Sequence, residues 1–306
     1  CHMNTVEKAK QKKVTMGLSD KVFNAIVTTI VTIWMIIILY PLIYVVSSSF
    51  SSGDAITSGR VLLFPVDVSL TGYQLVFQNK LVWSGYANTI FYTVTCTLIN
   101  VIYTILVAYV LSRKNFQGRG LVTTLYLITM WFSGGMIPKY ILVSSLGMTN
   151  TRWGFVLMTG MGISNMVIMR TYFQSSIPGE MLEAAKVDGC TDFRYLYQIA
   201  IPLAKPVIAV ITLYYMVGNW NDYFDPLIYL RKTELQPLQL ILRGILSSAK
   251  VDTSQMTDAS AAAQLANAAD SMKYALIVIS TVPMLILYPF VQKFFDKGVM
   301  MGSLKG

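Results

Sequence analysis

Few residues in this chain could carry covalent chemistry, and their scatter argues against it. The only histidine is His2, inside an opening Cys1-His2-Met3 that reads as a cloning scar ahead of a native start at Met3. Histidine triads, histidine metal centres and histidine proton relays are thereby excluded from the native chain. Cys1, Cys96 and Cys190 are too few and too far apart for a disulfide framework or a thiolate metal site. A Gly-x-x-x-x-Gly-Lys-Ser/Thr phosphate loop is also missing. What remains is binding chemistry. Tyr214, Tyr215, Trp220, Asn221, Asp222 and Tyr223 set aromatic faces beside an amide and a carboxylate. That combination can grip a polyhydroxylated ligand through its CH faces and its hydroxyls. Asn165, Tyr40 and Tyr44 are weaker members of the same set.

The elements that position these residues are apolar. Hydrophobic residues make up 54% of the 306 and charged residues only 13%, against about 25% in ordinary soluble domains. Six stretches carry no charge: Val22 to Val46, Thr89 to Leu111, Leu121 to Met136, Trp153 to Met169, Pro206 to Trp220 and Tyr274 to Tyr288. The first is long enough for a bilayer of roughly 30 Å, and it is too long for a signal-peptide core and lacks a cleavage site. Spans three to six are short or interrupted by Gly and Pro, as in helices that pack closely or line polar cavities. The expectation is an all-α membrane protein with six transmembrane helices. Its parts are a cytoplasmic tail over 1–21, a transmembrane domain over 22–291 and a cytoplasmic tail over 292–306.

Charge fixes the orientation. With both termini inside, fifteen of the 24 Lys and Arg residues fall on the cytoplasmic segments, although the outside loops are the longer set. The same bias accounts for the net charge of +9 without nucleic acid, since the basic residues do not cluster with aromatics. Asp222 stands out at the end of span five, because a carboxylate at a membrane edge is costly unless it faces water or a partner. The competing reading of the neighbouring aromatics is an interfacial belt.

Between spans four and five lies a segment with its own logic. Pro178 suits a first helical position, and Glu180 in the first turn favours the helix dipole. Met181, Leu182 and Ala185 share one face, while Glu180, Glu183 and Lys186 face elsewhere. Gly189 supplies a left-handed stop. Thr191 can cap a second helix from Asp192 to Ile199, ended by Pro202 and Pro206. A helix, a turn and a second helix result.

Glu183-Ala184-Ala185, three residues, Gly189, nine residues, Ile199, one residue and Ile201-Pro202 resemble the EAA loop of ABC-importer permeases, spanning 178–206 here. Ile201 replaces the usual Leu, a swap that conserves volume. Further matches are Leu63-Phe64-Pro65 with Tyr73, the run Phe132 to Pro138, Trp220 to Phe224 and the ending Lys297 to Gly306. Together they resemble the MalG-type permease subunit of carbohydrate-uptake ABC importers, in the branch associated with complex or uronate-containing oligosaccharides.

That resemblance implies a MetI-like fold in the bacterial cytoplasmic membrane. It implies a second homologous permease subunit, two ATP-binding subunits that hold the ATP and Mg, and an extracytoplasmic solute-binding protein. The chain itself would be non-catalytic and without a cofactor. Glu180, Glu183, Ala184, Ala185, Asp188, Gly189, Ile199 and Pro202 would couple it to the ATPase, and Gly302, Ser303 and Lys305 would touch the ATPase dimer. The expected cargo is an oligosaccharide, with peptides or amino acids as the alternative. A secondary transporter would need charges inside the spans, and a membrane enzyme would need an acid/base or metal constellation.

Overall fold

The chain opens on a long apolar helix, α1 (Leu18–Ser49), that continues through Pro41 and stands off the rest of the molecule. Its most apolar window has no buried residue. Only its end is anchored: the Ser47 hydroxyl donates to the carbonyl of Leu63 at 2.6 Å, and Ser49 bonds the Tyr73 hydroxyl at 2.9 Å. This computed structural model describes residues 17–251, 267–286 and 289. Among them the chain is helical, with one isolated bridge between Ser51 and Val68.

Two short helices, α2 (Gly53–Thr57) and α3 (Thr71–Gln78), fill the segment after α1. They lead into α4 (Lys80–Ser112), the central post. One face of α4 carries Thr89, Thr93, Thr97, Asn100 and Thr104, spaced by three or four residues and all buried. Small polar residues at that spacing allow close approach and act as interhelical glue in an apolar medium. The chain then forms α5 (Arg119–Trp131) and α6 (Met136–Ser145), which meet at 111° across a break where Gly135 has φ +84°.

The fourth apolar stretch is not one helix. It splits into α7 (Arg152–Met158) and α8 (Ile163–Ser175), because Gly160 and Gly162 interrupt it. The freed N–H of Gly162 is satisfied by a side chain, the hydroxyl of Tyr215, at 2.8 Å. After α8 come α9 (Gly179–Val187), α10 (Asp192–Leu203) and α11 (Lys205–Asn221), with an 81° bend between the last two. The stretch expected as outer loop holds two more helices, α12 (Phe224–Tyr229) and α13 (Leu238–Val251). The last described helix, α14 (Asn267–Ile286), begins ahead of the apolar stretch that announced it.

Three helices are individually long and apolar enough to cross a membrane: α1, α4 and α14. The bent pairs α5–α6 and α10–α11 raise the number to five if each is one span. The main core joins α4, α8, α10 and α11 through Ile105, Ala108, Met166, Met169, Tyr195 and Ile211. A second cluster, on Tyr92, Phe155 and Tyr229, closes the opposite end.

Candidate functional site

The segment between α8 and α11 is built from its caps. Pro178 occupies the N-cap with ψ 139°, so the first helical residue of α9 is Gly179, one position later than the sequence suggests. Glu180 follows in the first turn, beside the positive end of the helix dipole. At the other end Gly189 takes φ +74°. Its N–H donates to the carbonyl of Lys186 at 3.0 Å and that of Cys190 to Ala185 at 2.9 Å, the paired bonds of a Schellman stop. Thr191 then caps α10 by accepting from the N–H of Arg194 at 3.3 Å.

Pro202 does not end α10, as its type suggests. The chain widens into a π-helical turn over Leu196–Ala200, where the N–H of Ile201 reaches back to the carbonyl of Leu196. That turn relieves the crowding of a proline ring against the preceding turn. Pro202 is exposed, Ile199 half-buried, and the helix ends at Leu203. Ala204, fully buried, forms the corner into α11.

The apolar face expected on α9 is divided. Ala185 is buried and Leu182 half-buried against the chain's own core beside Ile177, Tyr195 and Leu196, so they tie the helix to the body. The outward face carries Glu180, Met181, Glu183, Ala184 and Asp188, with Val187 88% and Phe193 76% exposed. Lys186 pairs with Asp192 at 3.4 Å, and the Tyr109 hydroxyl donates to the Asp192 carbonyl at 3.2 Å. α9 is thus clasped to α10, and α10 to α4, while α9 presents a mixed apolar and acidic surface. The geometry can transmit a push, and no acid/base pair is assembled on it.

At the far end of α11 the aromatic and polar set separates into two groups. Trp220 and Tyr215 are not free faces. The Trp220 indole is buried, donates to the carbonyl of Ser280 at 3.0 Å and meets the Tyr86 ring edge-on at 6.1 Å. Tyr215 is buried with its hydroxyl 2.7 Å from Thr104 Oγ1. Tyr214, Asn221 and Tyr223 are exposed, and Asn165 is half-buried. Asp222 is half-buried, and its Oδ1 accepts from the N–H groups of Phe224 at 3.1 Å and Asp225 at 3.2 Å, capping α12. Asp225 in turn pairs with Lys139 at 3.3 Å. Gly302, Ser303 and Lys305 lie outside the described residues.

Sequence reasoning passed over a second polar knot. Asn88 donates to the carbonyls of Glu234 at 2.7 Å and Gln236 at 3.1 Å, and accepts from Arg152 at 2.9 Å. The Tyr92 hydroxyl donates to the Leu235 carbonyl at 3.0 Å. An Asn in the first half of a long apolar helix was the available signal.

Over residues 14–301 the sequence matches the family described as binding-protein-dependent transport system inner membrane component. The chain belongs to that family. It is therefore a membrane permease component of an ABC transport system, and ATP hydrolysis belongs to separate subunits. It is 34% identical over 292 residues to the polygalacturonan/rhamnogalacturonan transport system permease protein YtcP of Bacillus subtilis, covering 94% of this chain and 100% of the relative. It is 26% identical to the arabinooligosaccharides transport system permease protein AraQ of Halalkalibacterium halodurans, covering 88% of this chain and 92% of the relative. A crystal structure of a bacterial ABC transporter involved in the import of the acidic polysaccharide alginate contains a chain of the same fold. Its TM-score is 0.82 at 38% identity, over 92% of this permease and 99% of that chain.

Proposed function

We propose that this permease forms half of the translocation path of an ATP-driven importer for oligosaccharides, with uronate-containing chains as the class to test first. The observation that carries the reading is the α9–α10–α11 connection. An outward face with Glu180, Glu183, Ala184, Val187 and Asp188 is joined through a capped turn and a buried corner to a membrane helix. The relatives supply the cargo class: one is named for polygalacturonan and rhamnogalacturonan, another for arabinooligosaccharides, and the solved transporter for alginate.

In this reading α1, α4, the pair α5–α6, the broken helix α7–α8, α11 and α14 make six spans with both termini cytoplasmic. A homologous permease subunit completes the path, and the long uncovered α1 is available to it or to lipid. Two ATP-binding subunits seat α9, with Gly189, Ile199 and Pro202 holding the shape of the loop and Ala185 its anchor. The tail bearing Gly302, Ser303 and Lys305 reaches the ATPase pair. A solute-binding protein delivers the sugar on the other side. The path runs along Asn165, Tyr214, Asn221, Asp222 and Tyr223, and Tyr215 and Trp220 support it from inside the chain.

ATPase activity of the assembled transporter, measured with binding protein loaded in turn with uronate oligosaccharides, neutral oligosaccharides and peptides, tests the reading. Stimulation by the uronate class supports it. Stimulation by peptides alone refutes it.

A further inference from the structure

Between the end of α4 and the start of α9 the protein forms an open cleft of about 650 Å³. Four cations line it, Arg113, Lys114, Arg119 and Lys186, against two carboxylates, Glu183 and Asp192. Asp192 is already paired with Lys186. Among the described residues, Arg113, Lys114 and Arg119 have no carboxylate within ion-pair distance.

Arg113 is fixed by two aromatic rings. Its guanidinium lies 4.1 Å from the ring centroid of Tyr109 and 5.0 Å from that of Tyr195. Its Nε is buried with no hydrogen-bond partner. Arg119 curls back so that Nη1 approaches the carbonyl of Arg113 at 3.5 Å, which brings the two cations to one wall. Cationic donors that have no carboxylate partner gain by meeting an anion, because charge-assisted bonds are the strong ones.

The other wall is apolar and open. Val110 and Phe116 line the cavity and are exposed, and Leu121 and Leu125 are exposed on α5, which follows in the chain. A ligand that meets both walls carries a negative head and a hydrocarbon body.

We propose that this cavity binds the phosphate headgroup of an anionic phospholipid, with Arg113, Lys114 and Arg119 on the phosphate and Val110 and Phe116 on the first acyl carbons. The lipid lies against α9, whose residues Gly179, Leu182 and Glu183 close the cavity. Its occupancy therefore braces the coupling helix at the membrane surface. Each basic side chain near a membrane surface gives roughly a fivefold preference for an anionic lipid.

The test uses the assembled transporter, purified in detergent after incubation with phosphatidylglycerol or phosphatidylcholine and read by native mass spectrometry. The wild-type complex is expected to retain phosphatidylglycerol and not phosphatidylcholine. Arg113→Gln/Arg119→Gln should lower that retention by on the order of tenfold, and Arg113→Lys/Arg119→Lys should restore it. Because Arg113 also stacks on two tyrosines, Lys114→Gln/Arg119→Gln serves as a second variant with the same expected direction. Equal retention by all variants overturns the site. Displacement of the lipid by millimolar inorganic phosphate overturns the lipid and leaves a free-anion site. Loss of the ATPase subunits from the Gln variants, with lipid retained, assigns the cavity to the ATPase and overturns it as well. None of these readouts depends on the transported sugar.

Discussion

The hydroxyl of Tyr215 on α11 joins Thr104 on α4 to the broken end of α8. Thr104 Oγ1 lies 2.7 Å from the carbonyl of Asn100, one turn back, and 2.7 Å from the Tyr215 hydroxyl. With its proton committed to Asn100, Thr104 accepts from Tyr215, and the Tyr215 oxygen is free to accept from the N–H of Gly162 at 2.8 Å. Three helices share one chain of bonds, and α11 is the member that continues from α9 through α10.

Tyr215→Phe keeps the ring and breaks the chain. It strands the Gly162 N–H inside an apolar environment, a cost of about 1–3 kcal/mol. The expected result is a lower Tm for the purified complex and a fall in uptake per ATP hydrolysed. Thr104→Val removes one acceptor and should cost less, about 0.6 kcal/mol, the usual size of an interhelical hydrogen bond in a membrane. A Tyr215→Phe complex with unchanged Tm and coupling would contradict the assignment.

Gly189 offers a cleaner test of the proposed role of the turn after α9. A Cβ built there meets nothing within 4 Å, so a side chain brings backbone strain alone. At φ +74° that strain is roughly 1–2 kcal/mol, and Asn or Asp tolerate the region better than a β-branched residue. Gly189→Val is expected to reach the membrane and to lose the ATPase subunits on purification, and Gly189→Asn to keep more of them. Equal retention in both would mean the left-handed turn does not set the seat of α9.

Topology is tested by cysteine labelling in a Cys1→Ser/Cys190→Ser background, since the remaining Cys96 is buried. Val187→Cys and Ser303→Cys should resist an impermeant reagent in intact cells, and Lys232→Cys should react. Reaction at Val187→Cys would invert the orientation.

How much of this was legible in the sequence depends on the kind of signal. Length and apolarity gave α1 almost to its ends and the C-terminal end of α4, whose start at Lys80 lies well ahead of Thr89, and the caps Thr191 and Gly189 were readable because a side-chain oxygen and a missing Cβ act locally. The glycines that interrupt the fourth stretch were legible, but the bond that holds the break was not, because Tyr215 lies more than fifty residues on from Gly162. Helical spacing also put Leu182 and Ala185 on one face with Met181, and the structure turns those two toward the chain's own core. Helical spacing shows that two residues share a face and says nothing of which neighbour covers it. Helices α12 and α13 hid in a segment read as loop because they are short and carry charges, Asp225 in the first and Arg243 and Lys250 in the second, that broke the uncharged runs. Trp220 looked like a binding residue by type, and its partner Ser280 is visible only in three dimensions.

Asp222 separates charge from capping in a single residue. Its Oδ1 accepts from two backbone N–H groups at the start of α12, and an Asn keeps that oxygen while removing the charge. An Ala removes both, and loss of such a cap costs about 0.5–2 kcal/mol. If Asp222 lines the sugar path, Asp222→Asn should keep the Tm of the complex and its basal ATPase activity yet lower uptake, because the hydroxyls of a passing sugar lose a charged acceptor. Asp222→Ala should lower both Tm and uptake. If Asp222 serves α12 alone, Asp222→Asn will transport like the wild type and only Asp222→Ala will be impaired. Uptake of labelled oligosaccharide into proteoliposomes, run beside thermal unfolding of the same preparations, tells the two apart. Tyr223→Leu is the companion measurement. That ring is exposed at the same helix end, with Arg243 lying 5.1 Å over it. Its loss should reduce uptake without touching the cap.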